Sequence, residues 1–474
     1  GQQGTLRHRS FIRTWFLTSE EIVKLWDSWG IPMKYNGQYE LAGHAYPGNP
    51  IYHIHYAGKD QKRIMTEQAV KAGAEIVNRV MCFDLITDGE KVTGAIGMNT
   101  REDEIVIFKA KTVVLGTGSA IRLYPASATP AWLFNTRLSP TCVGDGRAMA
   151  YRAGAEIVNI EIPVFRCGPV YFARAGKGTW AGVLRDPQGK PVGPFITEPD
   201  NTYGDPVVDA YQDIFMDYKK SGRGPVYMDC KGLSDDGLEY MYHWLRNEGN
   251  VGLLDHLAEE GIDPREKPVE FRSYHYELFP RGGVYYDETG ATSLKGLYAA
   301  GDEFFGGISG AAVFGWLAGE NAANLSKGLG MPSIEQGKAR IEEARTRMEG
   351  IRNRKTGAGW KEANICLQQI MYDFTGEVRS ESLLNAGLLG LRRLRQKADG
   401  GLIAANAHEL CRCMEVLNLM EVGELIFIAA RERTETRGKH IRTDYPFTNP
   451  QLAKLLVLKR EDGKPVMEWR PIKR

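Results

Sequence analysis

The stretch Gly296-Leu297-Tyr298-Ala299-Ala300-Gly301-Asp302, followed by Gly306-Gly307-Ile308-Ser309-Gly310-Ala311-Ala312, decides the fold. Leu297 to Ala300 read as a short buried strand, Gly301 ends it, and Asp302 stands at its carboxyl edge. Small residues come next, and Ala311 to Leu325 reads as a helix. Together these parts make a cofactor site. A carboxylate can hold a sugar hydroxyl, and glycines let a flat ring approach the backbone. The helix start offers unpaired N–H groups at the positive end of its dipole. Gly301, Asp302, Ser309, Gly310, Ala311 and Ala312 are therefore candidate cofactor-binding residues. A second apolar strand, Lys111 to Leu115, runs into Gly116-Thr117-Gly118. An isolated glycine pair would simply end a strand. Beside a second glycine-terminated strand that carries Asp302, these three residues join the cofactor set.

The rest of the chain fits a large enzyme. Its 474 residues suffice for two or three domains with a sizeable core. Lys+Arg 60 against Asp+Glu 59 gives a net charge of +1, which speaks against a nucleic-acid binder or an acidic tail. The 54 glycines exceed average usage and suit a fold with many tight turns. No apolar run reaches the roughly 18 residues of a membrane span. The seven cysteines are scattered and include no CxxC, so a disulfide framework, an iron–sulfur site or another metal site within the chain is not expected. Cys411 and Cys413 read as two cysteines on a helix. A reducing, cytoplasmic location follows from this usage, and no signal peptide is read at Gly1-Gln2-Gln3-Gly4.

Periodicity predicts a capped amphipathic helix over 17–29 and a second helix over 59–73. Alternating runs over 74–80, 81–87, 92–98 and 105–110 predict a small antiparallel meander, with Asp88-Gly89 as a hairpin turn. Gly144-Asp145-Gly146 opens a helix closed by Gly154. From about 161 to 270, Pro, Gly, Tyr and Trp become frequent, which reads as an inserted α+β cap. The segment 334–440 reads as almost wholly helical, with Leu383, Leu384, Leu388, Leu391 and Leu394 on one side, and 446–474 reads as a mixed tail.

Three further stretches carry a resemblance. Lys109 to Ser119 ends a strand in a glycine turn. Thr141-Cys142-Val143-Gly144-Asp145-Gly146-Arg147 begins a helix, and Arg431 to Pro446 contains Arg437-Gly438-Lys439-His440. With the Gly301-Asp302 segment and the ending Val466 to Lys473, these resemble the succinate dehydrogenase/fumarate reductase flavoprotein superfamily, in its order and over nearly the whole chain. The resemblance implies an α/β fold. A Rossmann-like FAD-binding domain would occupy 1–160 and 271–332, with an inserted α+β capping domain over 161–270. A C-terminal helical domain over 333–445 and a tail over 446–474 would follow. It also implies an N-terminal Gly-x-Gly-x-x-Gly turn, which is not found; the expectation is that the numbered chain lacks that segment or that another subunit supplies it.

The resemblance further implies FAD as cofactor and electron or hydride transfer between flavin and a small anionic substrate. An iron–sulfur electron-transfer subunit is the implied partner, through which the protein would be peripheral to a membrane. Ala173-Arg174-Ala175-Gly176 matches the element that carries the proton-donating arginine, so Arg174 reads either as that donor or as a solvated loop residue. His275-Tyr276 followed by Gly282-Gly283 matches a substrate-facing histidine, with Gly283 near the isoalloxazine. The longer spacing between them brings in Arg281 as a further cation. The Gly-Asp-Gly element makes Gly144 and Asp145 candidate cofactor-binding residues, and Asp145 reads as a helix cap, as a cofactor-positioning residue, or as both. The family's carboxylate-clamping arginine has no counterpart in Ile308-Ser309-Gly310-Ala311. The alternatives are an adenylylsulfate-reductase-like enzyme acting on sulfur and a non-catalytic electron-transfer subunit.

Overall fold

The computed structural model describes residues 8–42, 53–125, 133, 139–169, 180–193, 196–200, 217–218, 221–280 and 282–473; for 42, 53, 164–167 and 272–280 it describes the backbone. Helix α1 (Arg9–Ser28) starts well before the expected residue 17. Tertiary packing extends it: the Phe11 ring stacks on Phe314 with centroids 4.0 Å apart. Ser19, expected near the cap, lies mid-helix and donates to the Trp15 carbonyl at 2.5 Å. Gly30, with φ of 88°, follows the helix end. The short strands β1 (Glu40–Ala42) and β2 (His53–His55) pair antiparallel, and α2 (Gln61–Lys71) follows.

The meander has three strands, β3 (Val80–Thr87), β4 (Val92–Asn99) and β5 (Ile105–Lys109), rather than the expected four runs. Residues 74–79 form no strand. Ile76 and Val77 are 45% and 49% exposed, and Arg79 adopts a left-handed φ of 63° that turns the chain into β3. Strand β6 (Val113–Leu115) comes next, and α3 (Asp145–Arg152) starts from Gly144 in the left-handed region.

After β7 (Ile157–Val158) the chain enters the region expected to be α+β. Strands β8 (Pro163–Pro169), β9 (Val183–Arg185) and β10 (Val226–Asp229) precede α4 (Asp235–Asn247) and α5 (Val251–Glu259). Helix α4 is capped by Ser234, whose hydroxyl accepts from the Gly237 N–H at 3.1 Å. With β11 (Val269–Pro280) the strands form an antiparallel sheet in the order β8-β11-β10-β9, over a core that includes Trp180, Met228, Met241 and Phe271. Strand β12 (Gly283–Val284) returns to pair with β7, and β13 (Leu297–Ala299) pairs parallel with β6.

Helix α6 (Ile308–Lys327) packs on α1. The expected helical region holds α7 (Lys338–Asn353), α8 (Trp360–Thr375), α9 (Glu381–Gly401) and α10 (Ala407–Glu432). On α9, Leu384, Leu388 and Leu391 are buried, whereas Leu383, one position off the stripe, is exposed. The tail is a hairpin, β14 (Lys454–Glu461) and β15 (Lys464–Pro471), and β14 pairs with β7 through Val457 opposite Val158. The chain end thus closes onto the segment between α3 and β8. The fold is α/β with a C-terminal helical domain.

A buried ionic hub seals this closure. The Arg433 guanidinium donates to Glu161 (2.5 Å), to Glu435 (2.9 Å) and to the Leu452 carbonyl (3.0 Å). Arg379 donates to the Glu161 carbonyl at 2.6 Å and to His440 Nδ1 at 2.8 Å, which places the imidazole proton on Nε2, 3.0 Å from the Arg433 carbonyl. Burial and the neighbouring arginines hold His440 well below the usual histidine range. Removing one member leaves the others charged and dry. Arg433→Ala is expected to cost about 3–5 kcal/mol, read as a lower denaturation midpoint; a variant as stable as the parent would show that the hub contributes nothing.

Candidate functional site

The parallel register Leu297–Val113, Tyr298–Val114 and Ala299–Leu115 brings both glycine turns to the same carboxyl end of β6 and β13. The Ala300 N–H donates to the Leu115 carbonyl at 3.0 Å, so the two turns leave the sheet side by side. In open α/β sheets, ligands bind at such an edge. Gly118 (φ 80°), Gly301 (φ 68°) and Gly307 (φ 98°) lie in the region that favours glycine. A Cβ on Gly116 or on Gly307 would meet nothing within 4 Å, so both present open backbone.

Asp302 shapes the second turn. Its Oδ1 accepts from the Gly307 N–H at 3.2 Å, and a Cβ on Gly306 would overlap that same oxygen. The loop is thereby folded back onto the carboxylate, and Gly306 to Ser309 are exposed beside it. Helix α6 starts at Ile308 with no side-chain cap. Its first N–H groups therefore face outward with the positive dipole end. Gly310 is packed under Phe305, whose ring approaches the position of a Cβ there. Ser309 accepts from Trp15 Nε1 at 3.2 Å, which locks α1 to the helix start. Ala311 is exposed and Ala312 half-buried.

Two residues absent from the sequence candidates organise these turns. Arg147, on α3 and fully buried, donates from Nη1 to the Gly118 carbonyl at 2.7 Å, from Nη2 to the Asp302 carbonyl and from Nε to the Gly282 carbonyl at 3.4 Å. Glu303, also fully buried, is hydrogen-bonded by Thr117 and lies 3.6 Å from Arg147 Nη1. Burial pushes the Glu303 carboxyl up, against the pull of Arg147. Sequence offered one signal, charged residues set among small and apolar ones. It held no pairing, because Arg147 and Asp302 are 155 positions apart.

Several candidates acquire defined places. Thr117 is committed to Glu303. Gly283 is buried where a Cβ would overlap the Glu303 carbonyl and come within 2.6 Å of Arg147 Nε, so glycine is required there by packing. Gly144 (φ 78°) approaches Ala120 too closely for a side chain. Asp145 does not cap its own helix; its Oδ1 accepts from Asn418 of α10 at 2.7 Å. Burial, with Glu415 nearby, raises its pKa from 3.8 to about 7. The backbone of His275 lies in β11, within the irregular stretch between the Tyr274–Arg166 and Phe279–Val164 pairs. Arg174 and Arg281 lie outside the described residues.

The profile of the FAD binding domain family matches residues 19–315, and that described as fumarate reductase flavoprotein C-term matches 364–474. The chain belongs to this FAD-binding flavoprotein family. It is 27% identical over 437 residues to a subunit of the fumarate reductase (CoM/CoB) of Methanothermobacter marburgensis, covering 86% of this chain and 75% of that one. It is 28% identical over 439 residues to L-aspartate oxidase of Yersinia pestis, covering 84% and 75%. In fold it matches adenylylsulfate reductase of Archaeoglobus fulgidus (TM-score 0.85, 21% identity, 100% and 84% covered). It also matches E. coli quinol fumarate reductase (TM-score 0.81, 21% identity, 100% and 85% covered). The chain is an FAD-dependent oxidoreductase. The open backbone at Gly116 and Gly307, the Asp302 carboxylate and the uncapped start of α6 fit that cofactor. Among the described residues no helix is long and apolar enough to cross a membrane, and no group of His, Cys, Asp and Glu could hold a metal ion.

Asp302→Ala is expected to release the loop from 302 to 307 and to lower the FAD content of the purified protein; full occupancy would refute the role of this carboxylate. Asp145 provides a pH test. A carboxyl whose pKa is raised on folding keeps a proton that the unfolded chain has already released, so stability falls as pH rises from about 4 to about 7. The loss from this group is up to about 1.4 kcal/mol per pH unit. Asp145→Asn should therefore gain stability over the parent at about pH 8 compared with about pH 5; an equal gain at both pH values would refute the assignment.

Proposed function

We propose that the chain moves two electrons between FAD and a small anionic substrate held between the glycine turns and the β8-β11-β10-β9 sheet, with 161–270 as a capping domain. The observation that carries this reading is the course of β11. The strand bearing His275 leaves the cap sheet and, within three residues of its end, becomes the Gly283 segment packed on Arg147 and Glu303. Residue 275 thus lies on the strand that joins the cap to the cofactor turns. The substrates named for the relatives and the structural matches, fumarate, L-aspartate and adenylylsulfate, are all small anions.

FAD supplies a two-electron carrier when bound. The work assigned to this chain is binding, orientation and proton delivery. His275 and Arg281 hold the anion, and Arg174 delivers a proton to it where the substrate is reduced at carbon. The backbone N–H groups of Ser309 to Ala312 stabilise negative charge on the reduced cofactor. The segment Ile308-Ser309-Gly310-Ala311 carries no arginine for a bidentate carboxylate clamp, which favours an anion other than a dicarboxylate and supports a second reading, reduction at sulfur. An iron–sulfur subunit is the proposed electron partner.

The test is re-oxidation of the dithionite-reduced flavoprotein without oxygen. Re-oxidation by adenylylsulfate in preference to fumarate is expected, and His275→Ala should slow it at least tenfold while FAD content holds. Re-oxidation by neither, with electrons still passing to an iron–sulfur protein, would overturn the reading in favour of a non-catalytic role in electron transfer.

A further inference from the structure

The guanidinium of Arg147 reaches the carbonyls of Gly118, Asp302 and Gly282, which belong to three segments far apart in sequence. These segments are the turn after β6, the turn after β13 and the residue before β12. Each holds residues expected to meet the cofactor. We propose that Arg147 is a positioning residue of the flavin pocket, which sets the spacing of the three turns and fixes a positive charge beneath them. The inference rests on the flavin reading of this site.

Three features support it. The geometry needs a planar fork, because three carbonyls from three directions meet Nε, Nη1 and Nη2 of one group. A lysine offers its donors from a single point and cannot span them. The surroundings are cut to fit this group. Gly283 leaves room for Nε, and a Cβ on Gly146 would overlap Thr117 Oγ1, which itself binds Glu303. The charge is only loosely offset. Glu303 is the buried acid beside it, yet the nearest approach is 3.6 Å, and its Oε2 makes no hydrogen bond among the described residues. A buried cation that its neighbour incompletely neutralises favours negative charge nearby. A reduced, anionic flavin is such a charge.

The experiment uses the full chain, first shown to bind FAD as the parent protein; a parent that binds none would remove the flavin reading itself. Arg147→Lys and Arg147→Met are then compared by FAD dissociation constant, flavin midpoint potential and melting temperature of the apoprotein. Both variants are expected to bind FAD at least tenfold more weakly. Arg147→Lys, which keeps the charge, should keep the potential of the parent. Arg147→Met, which loses the charge, should have a lower potential. Variants that melt earlier but bind FAD as tightly as the parent, with unchanged potential, would overturn the proposal and leave Arg147 a purely structural residue. If Arg147→Met does not fold, the affinity of Arg147→Lys decides: tenfold weakening supports the proposal, and parental affinity overturns it.

Discussion

One buried guanidinium, that of Arg147, holds together the two glycine turns at which the cofactor is proposed to sit. The carbonyls it engages follow two parallel strands and precede a third, and the second of them lies in the short 3-10 turn Gly301–Glu303. Glycine turns suit a cofactor because they lack side chains, and for the same reason they have few contacts to define their shape. A charge-assisted donor that spans several carbonyls supplies the missing definition, at about 1.5–3 kcal/mol for each good bond. Its cost is the burial of a cation, which three backbone oxygens and the more distant Glu303 offset only in part.

Arg147 can act this way only if α3 is immobile, and the C-terminal half supplies that constraint. Asn418 of α10 binds Asp145 at the start of α3, and Arg152 at its end bonds to Asn418, Glu421 and Asp84. Asp84 is in turn gripped by Arg340 of α7 through bonds of 2.8 Å. Behind α3 the tail hairpin adds β14 to β7, and the Arg433 hub closes over Glu161. The helical domain is therefore part of the scaffold of the cofactor turns, and a defect in α10 should be felt at residues that it does not touch.

Much of this was legible in the chain. The strand–glycine–acid pattern at 297–302 and the apolar strand ending at Gly116 predicted the two strands and their glycine turns, because short-range rules govern strand ends and helix starts. The Leu384, Leu388 and Leu391 stripe and the hairpin at Gly89 were readable for the same reason. Long-range constraints were not. Helix α1 extends back to Arg9 because Phe11 finds Phe314, far along the chain, and residues 74–79 stay exposed, outside the meander. Asp145 follows a helix-start pattern, yet its partner is on α10. For Arg147 and Glu303 the local signal, a charge set among small and apolar residues, did not give their partners, since their roles exist only once the two glycine turns lie side by side. For Arg174 and Arg281 the sequence reading stands as proposal, as it does for the side chain of His275.

The account turns on where the cofactor sits, and backbone hydrogen exchange measured with and without FAD addresses this directly. Amides of 116–119 and 301–312 are predicted to gain protection when FAD is added, while those of α8 and α9 stay unchanged. FAD binding that leaves 116–119 and 301–312 exchanging as before, with protection appearing elsewhere, would contradict the placement of the site at the ends of β6 and β13.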